Sequence, residues 1–167
     1  MLLTSESSSE LDKVTEGLKN EFEVSCLGDI RHFLGMEIRR ERSVYTIRLQ
    51  NYISRLLEEN GMSEAKPAKT PMDPNYIKTE EKSELLKDVS KYRSVVGSML
   101  YLSVVARPDI ANSAAVLGRK FAAPTERDWV AAKRVMRYLK GTIDYGLSFE
   151  VKNRSCWGFR TPIGLAT

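Results

Sequence analysis

Between residues 62 and 76 the chain carries Pro67, Pro71 and Pro74 and loses every regular spacing of apolar side chains. Proline fixes φ, lacks an amide donor and pushes the residue before it out of the helical region, so such a stretch can continue neither a helix nor a central strand. It predicts an extended connector between two lobes, with the boundary drawn at residues 62–86.

On the amino-terminal side, Leu11, Val14, Leu18 and Phe22 recur at helical spacing behind Ser7 and Glu10, the S-x-x-E form of a capping box, which predicts a helix over 9–23. Residues 33–38 then alternate through Leu34, Met36 and Ile38, and Tyr45, Ile47 and Leu49 alternate after a charged turn at 39–43. That is the pattern of a β-hairpin. Tyr52, Ile53, Leu56 and Leu57 predict a helix over 50–60, with Gly61 as its left-handed terminator.

Beyond the prolines, three helices are expected: 87–106, stopped by Arg107-Pro108; 109–122, with Asp109 as cap; and 126–140. Thr125 with Asp128 imitates a capping box for the last, Trp129, Ala132, Val135, Met136 and Leu139 form its apolar stripe, and Gly141 closes it. Residues 145–151 read as a strand. The fold class expected is therefore α+β, a helix and hairpin followed by a mostly helical lobe.

Chemistry is sparse. One histidine, His32, excludes any site needing two imidazoles, the glycines form no phosphate-binding loop, and Cys26 and Cys156 make no CxxC pair. No signal peptide or membrane-spanning run is evident, and an intracellular setting, cytoplasmic or nuclear, is expected. The charge is uneven. Residues 1–106 hold 15 Lys/Arg against 17 Asp/Glu, a net of −2, whereas residues 107–167 hold 11 against 5, a net of +6. That imbalance favours a polyanionic partner for the second half. On the helix over 126–140, Lys133, Arg137 and Lys140 follow at spacings of four and three, with Arg134 beside them. Such a stripe either tracks a phosphate backbone or solubilises the helix, and spacing alone leaves both open.

Four runs taken together carry a resemblance: Leu27-Gly28-Asp29-Ile30-Arg31-His32-Phe33-Leu34-Gly35-Met36-Glu37-Ile38, Lys66-Pro67-Ala68-Lys69-Thr70-Pro71-Met72, Arg107-Pro108-Asp109-Ile110-Ala111, and Ala131-Ala132-Lys133-Arg134-Val135-Met136-Arg137-Tyr138-Leu139-Lys140-Gly141-Thr142. Their order and spacing resemble the copia-type retrotransposon Pol polyprotein over residues 2–150. The resemblance implies that residues 1–61 are the end of a reverse transcriptase palm with a primer-grip-like hairpin and a thumb-side helix, and that 87–150 are the helical connection leading to RNase H. It implies Phe33, Leu34, Gly35 and Met36 of the hairpin as nucleic-acid-binding candidates beside Lys133, Arg134, Arg137 and Lys140. It also implies an RNA/DNA template–primer as the parent's partner and magnesium as the parent's cofactor, held by aspartates that include a Tyr-Val-Asp-Asp turn. That turn would precede the part resembling residues 2–9, so the expectation here is a catalytically inactive fragment without a cofactor, catalytic residue or metal ligand. The rival expectation is a domesticated nucleic-acid-binding or protein-interaction module.

Residues 151–167 depart from the family, which would continue with a motif like Gly-Tyr-Ser-Asp-Ala-Asp-Trp-Ala-Gly-Asp. Reverse translation of 157–167, read from its third base, permits Gly-Phe-Ser-Asp-Ala-Asp-Trp-Ala-Gly-Asp. The expectation is a tail translated out of frame from about Ser155 and poorly ordered.

Overall fold

The structure, a computed structural model, describes residues 3, 5, 7–78, 83–152 and 155–160, with 151, 152 and 155–160 described by their backbone. The chain divides into two compact units, Met1–Ile30 and Arg31–Thr167.

The first unit is built on α1 (Ser8–Glu21), which places Glu10 in its first turn and Lys19 in its last, as the helix dipole favours. None of its residues is buried. The capping box expected at Ser7 and Glu10 does not form: the Ser7 hydroxyl lies 2.8 Å from that of Ser9, and the Glu10 carboxylate accepts from the Ser5 hydroxyl at 2.7 Å. In a serine-rich lead-in, neighbouring hydroxyls compete for the groups the box requires.

The second unit joins an antiparallel sheet, in the order β1-β2-β3-β4-β5, to a cluster of helices. The strand expected over 33–38 is in fact two strands, β1 (His32–Phe33) and β2 (Met36–Glu41), folded back at Leu34-Gly35. Both turn residues have positive φ, 48° and 78°, the signature of a tight two-residue hairpin. Alternation was misleading because Gly35 supplies a left-handed turn position in the middle of it. A second turn at Arg42-Ser43 leads into β3 (Val44–Arg48), and the fully buried Leu49 starts α2 (Gln50–Glu59).

Next come α3 (Asn75–Lys78) and α4 (Val89–Val105), the latter capped by Asp88, which accepts from the Lys91 amide at 2.9 Å. A 3₁₀ turn at Pro108–Ile110 separates α4 from α5 (Ala111–Gly118), followed by α6 (Glu126–Gly141). The Thr125–Asp128 capping box forms as expected. One apolar core joins Ile53, Leu56 and Leu57 of α2 to Val95, Val96, Met99 and Leu102 of α4, Ala114 and Leu117 of α5, and Val135, Met136 and Leu139 of α6.

Residues 109–122 do not form one continuous helix, and Asp109 caps nothing. Its carboxylate instead accepts from Nε of the buried Arg107 at 3.0 Å, from Nη2 at 2.7 Å, and from the Tyr138 hydroxyl at 2.8 Å. The guanidinium also donates to the Thr142 carbonyl at 2.9 Å and to its hydroxyl at 2.5 Å, and it lies 5.6 Å from the ring centroids of both Tyr138 and Tyr145. Burial alone would raise the Asp109 carboxyl, but the hydrogen bonds and charge of Arg107 outweigh it and hold the group below its usual value. Burial and the bond to Asp109 push the Tyr138 hydroxyl up to about 12, so it stays a donor.

Past this cluster, β4 (Leu147–Lys152) pairs with β3, setting Leu147 opposite Ile47. The expectation of poor order in the tail does not hold for the backbone over 155–160. Ser155–Arg160 forms β5, paired antiparallel to β4, because the free edge of β4 offers an unsatisfied ladder to a segment containing the β-favouring Trp157 and Phe159. The rest of that expectation, over 161–167, lies outside the described residues.

Two substitutions separate tight backbone approach from open space. A Cβ on Gly146 would sit 2.3 Å from the Ile47 carbonyl oxygen, so Gly146→Ala is expected to destabilise by roughly 1–3 kcal/mol in denaturant unfolding. Gly97, in α4 with nothing within 4 Å, is expected to gain roughly 0.5–1 kcal/mol as alanine. A lowered carboxyl pKa contributes stability above the unfolded value, and that contribution disappears as pH falls through the folded value. Asp109→Asn is therefore expected to cost about 3–5 kcal/mol at neutral pH, by leaving Arg107 buried without a counter-charge, and to flatten the loss of stability below about pH 4. A parallel acid limb in the two proteins would show that the pair contributes nothing.

Candidate nucleic-acid interface

The candidate residues fall in two places. Phe33, Leu34, Gly35 and Met36 form the tip of the β1–β2 hairpin, with Leu34 72% exposed and Met36 packed against the core. The tip is held from below: the Tyr101 hydroxyl of α4 donates to the Leu34 carbonyl, and the Gly35 Cβ position lies 3.8 Å from that hydroxyl and 4.0 Å from the Tyr52 ring. Tyr52 and Tyr101 are 5.0 Å apart between centroids, with the Arg55 guanidinium 5.5 Å from the Tyr52 ring. A strained, exposed leucine is thus presented on a rigid aromatic base.

The second place is α6. Residues 66–78 and 83–86 lie against this helix in antiparallel order, from its last turns back to its start. Arg137 Nε donates to the Lys66 carbonyl at 2.6 Å, and the Ala68 amide returns a bond to the Arg137 carbonyl at 3.2 Å. Arg134 donates to the Thr70 hydroxyl at 2.9 Å and lies 3.6 Å from the Asp73 carboxylate. Tyr76 donates its hydroxyl to the buried Asp128, Arg127 Nη2 donates to the Tyr76 carbonyl at 2.9 Å, and the Arg127 guanidinium sits 4.9 Å from the Tyr76 ring. Burial first, then Asp128, raises the Tyr76 hydroxyl well above its ordinary range. At the far end the Leu86 amide donates to the Pro124 carbonyl at 2.8 Å.

The prolines keep this segment extended, and between it and α6 opens a cleft of about 470 Å³. Arg127, Lys133, Arg134 and Arg137 line it together with Met62, Asp73, Tyr76 and Val130. Lys133, Arg134 and Arg137 therefore converge, whereas Lys140 lies outside the lining. Lys133 also sits 5.4 Å from the Trp129 ring, which Lys91 approaches at 5.9 Å.

Sequence reasoning missed Met62, Asp73 and Tyr76. A signal was present for Tyr76: Asp73-Pro74-Asn75 is a turn initiator, and the Asp73 carboxylate does accept from the Asn75 amide at 2.9 Å, starting α3. Nothing in the spacing marked Met62 or Asp73, because their role comes from a chain reversal that periodicity cannot report.

Among the described residues, no group of three or more His, Cys, Asp or Glu side chains could hold a metal ion. No described helix is long and apolar enough to cross a membrane.

Residues 1–74 match the family described as reverse transcriptase (RNA-dependent DNA polymerase). The chain is 35% identical over 160 residues to the retrovirus-related Pol polyprotein from transposon TNT 1-94 of Nicotiana tabacum, covering 89% of this chain and 12% of that protein. It is 33% identical over 153 residues to the polyprotein from transposon RE2 of Arabidopsis thaliana, covering 92% and 10%. An uncharacterized mitochondrial protein of Arabidopsis thaliana is 33% identical over 147 residues, covering 88% of this chain. The chain spans 60% of that protein's length. No solved structure matches the chain. This is a protein of the reverse transcriptase family. Within it, the chain belongs with the copia-type retrotransposon Pol polyproteins and aligns with one segment of them.

Tyr101→Phe removes the hydroxyl that fixes the hairpin tip. It is expected to lower stability by about 1 kcal/mol and to speed amide hydrogen exchange at residues 34–36 while leaving α6 unchanged.

Proposed function

We propose that this chain is a nucleic-acid-holding segment of a Pol polyprotein, gripping an RNA/DNA template–primer without performing the chemistry. The observation that carries this reading is the convergence of Lys133, Arg134 and Arg137 on one cleft, in the half of the sequence with a net charge of +6. Lys140 extends the same helix's positive charge beyond the cleft, and the hairpin tip at Phe33–Met36 offers a second contact. Phosphate contacts from such side chains give affinity without sequence preference.

The non-catalytic part of the proposal rests on the carboxylates. The sequence contains no Asp-Asp pair. In-line attack on an incoming nucleotide needs metal ions to stabilise developing charge, and the described residues offer no set of ligands for them. Such a segment acts inside the cell, cytoplasmic or nuclear, where its template is found.

A free-standing binding module is the second reading. It is favoured by one observation: among the described residues, no buried side-chain nitrogen or oxygen lacks a hydrogen-bond partner, as expected of a chain that closes its own core.

Fluorescence anisotropy with a labelled RNA–DNA duplex, titrated at several salt concentrations, tests the binding. Affinity is expected to fall steeply with salt, and Lys133→Ala and Lys140→Ala are each expected to reduce the log–log slope by about one. Absence of binding at low salt would sink the proposal. Metal-dependent primer extension by the purified chain would overturn its non-catalytic part.

A further inference from the structure

The lining of the α6 cleft combines two chemistries. Arg127, Lys133, Arg134 and Arg137 bring positive charge to its lining, and Met62, Val130 and Tyr76 bring apolar surface, Val130 on the same helix as the cations. Arg137 spends Nε on the Lys66 carbonyl, and neither its remaining guanidinium nitrogens nor the Lys133 ammonium makes a hydrogen bond to a described residue. Arg134 is held only by a neutral threonine and a half-exposed carboxylate 3.6 Å away. Four cations thus line the cleft with one carboxylate, Asp73, beside an apolar surface of which Val130 is 65% exposed.

At about 470 Å³ the cleft falls within the roughly 300–1,000 Å³ of small-ligand pockets. A duplex presents phosphates on its outside and keeps its bases stacked within, so it can satisfy the cations but not the apolar surface. A single strand can do both, since an unpaired base is free to turn its face onto a side-chain surface while the adjoining phosphate stays with the cations. Resting on the nucleic-acid reading above and narrowing it, we propose that this cleft takes one unpaired nucleotide of a single strand, with its phosphate at Lys133, Arg134 and Arg137 and its base against Met62, Val130 and Tyr76.

The test compares three labelled oligonucleotides of equal phosphate number with the full chain at one salt concentration: a 12-nucleotide single strand, the same strand with abasic sites, and an RNA–DNA duplex. The intact single strand is expected to bind about tenfold more tightly than either of the others, the order of one stacked base. Val130→Trp, on an exposed position, is expected to fill the cleft and abolish the advantage of the intact single strand over the abasic one. Equal affinity for all three ligands overturns this inference and leaves nucleic-acid binding standing. Failure to bind any of them overturns both. The abasic comparison needs no substitution and decides the matter even if the tryptophan variant does not fold.

Discussion

A guanidinium removed from water is costly, and the carboxyl-terminal half of this protein is arranged around one. Arg107 leaves the end of α4 and is met by Asp109 from the 3₁₀ turn, Tyr138 and Thr142 from the end of α6, and Tyr145 from the approach to β4. Desolvating such a cation costs several kcal/mol, and only a full set of partners offsets it. The requirement is structural in its effect: two stretches distant in sequence, 107–109 and 138–145, must arrive together. The direction of α6 against α4, and the point at which the chain turns toward the sheet, follow from meeting it.

How much of this was legible varies by element. The start of α6 was readable because Thr125 and Asp128 are local signals, whereas Gly141, expected to close the helix, lies within it where a Cβ would meet Pro67 at 2.9 Å, and Thr142 is the cap. The stripe of α1 was readable too, but its cap was not, since Ser5, Ser7 and Ser9 offer the same group several partners. Residues 33–38 look like one strand because alternation ignores handedness, and only the positive φ of Leu34 and Gly35 reveals the fold-back. Arg107-Pro108-Asp109 reads as a helix stop and a cap. The stop is real, while the carboxylate has gone to a buried cation no spacing rule could have placed. In the candidate site, the cations of α6 were visible as a stripe, but not that a proline-bearing segment lies against them and makes a surface into a cleft.

Part of the positive charge on α6 is spent inside the protein. Arg134 and Arg137 brace the segment opposite them through carbonyls and a hydroxyl, which fixes their positions without cancelling their charge. A side chain immobilised in this way loses less conformational freedom when a ligand arrives than one waving in solvent. Pro67, Pro71 and Pro74 contribute to the same end, since a segment unable to coil or pair stays at a fixed distance from the helix.

The pairing of β3 with β4 sets the order in which the molecule can be made. Gln50, just after β3, bonds to Asp144, just before β4, across 94 positions of sequence. On the ribosome, the hairpin of β2 and β3 emerges long before the strand that completes it, with the whole helical cluster synthesised in between. During that interval the outer edge of β3 stands as an unpaired template, open to any other extended chain. Contacts of such long range also slow folding. The aggregation hazard of this sheet therefore belongs to the growing chain more than to the finished fold, in which β4 covers that edge.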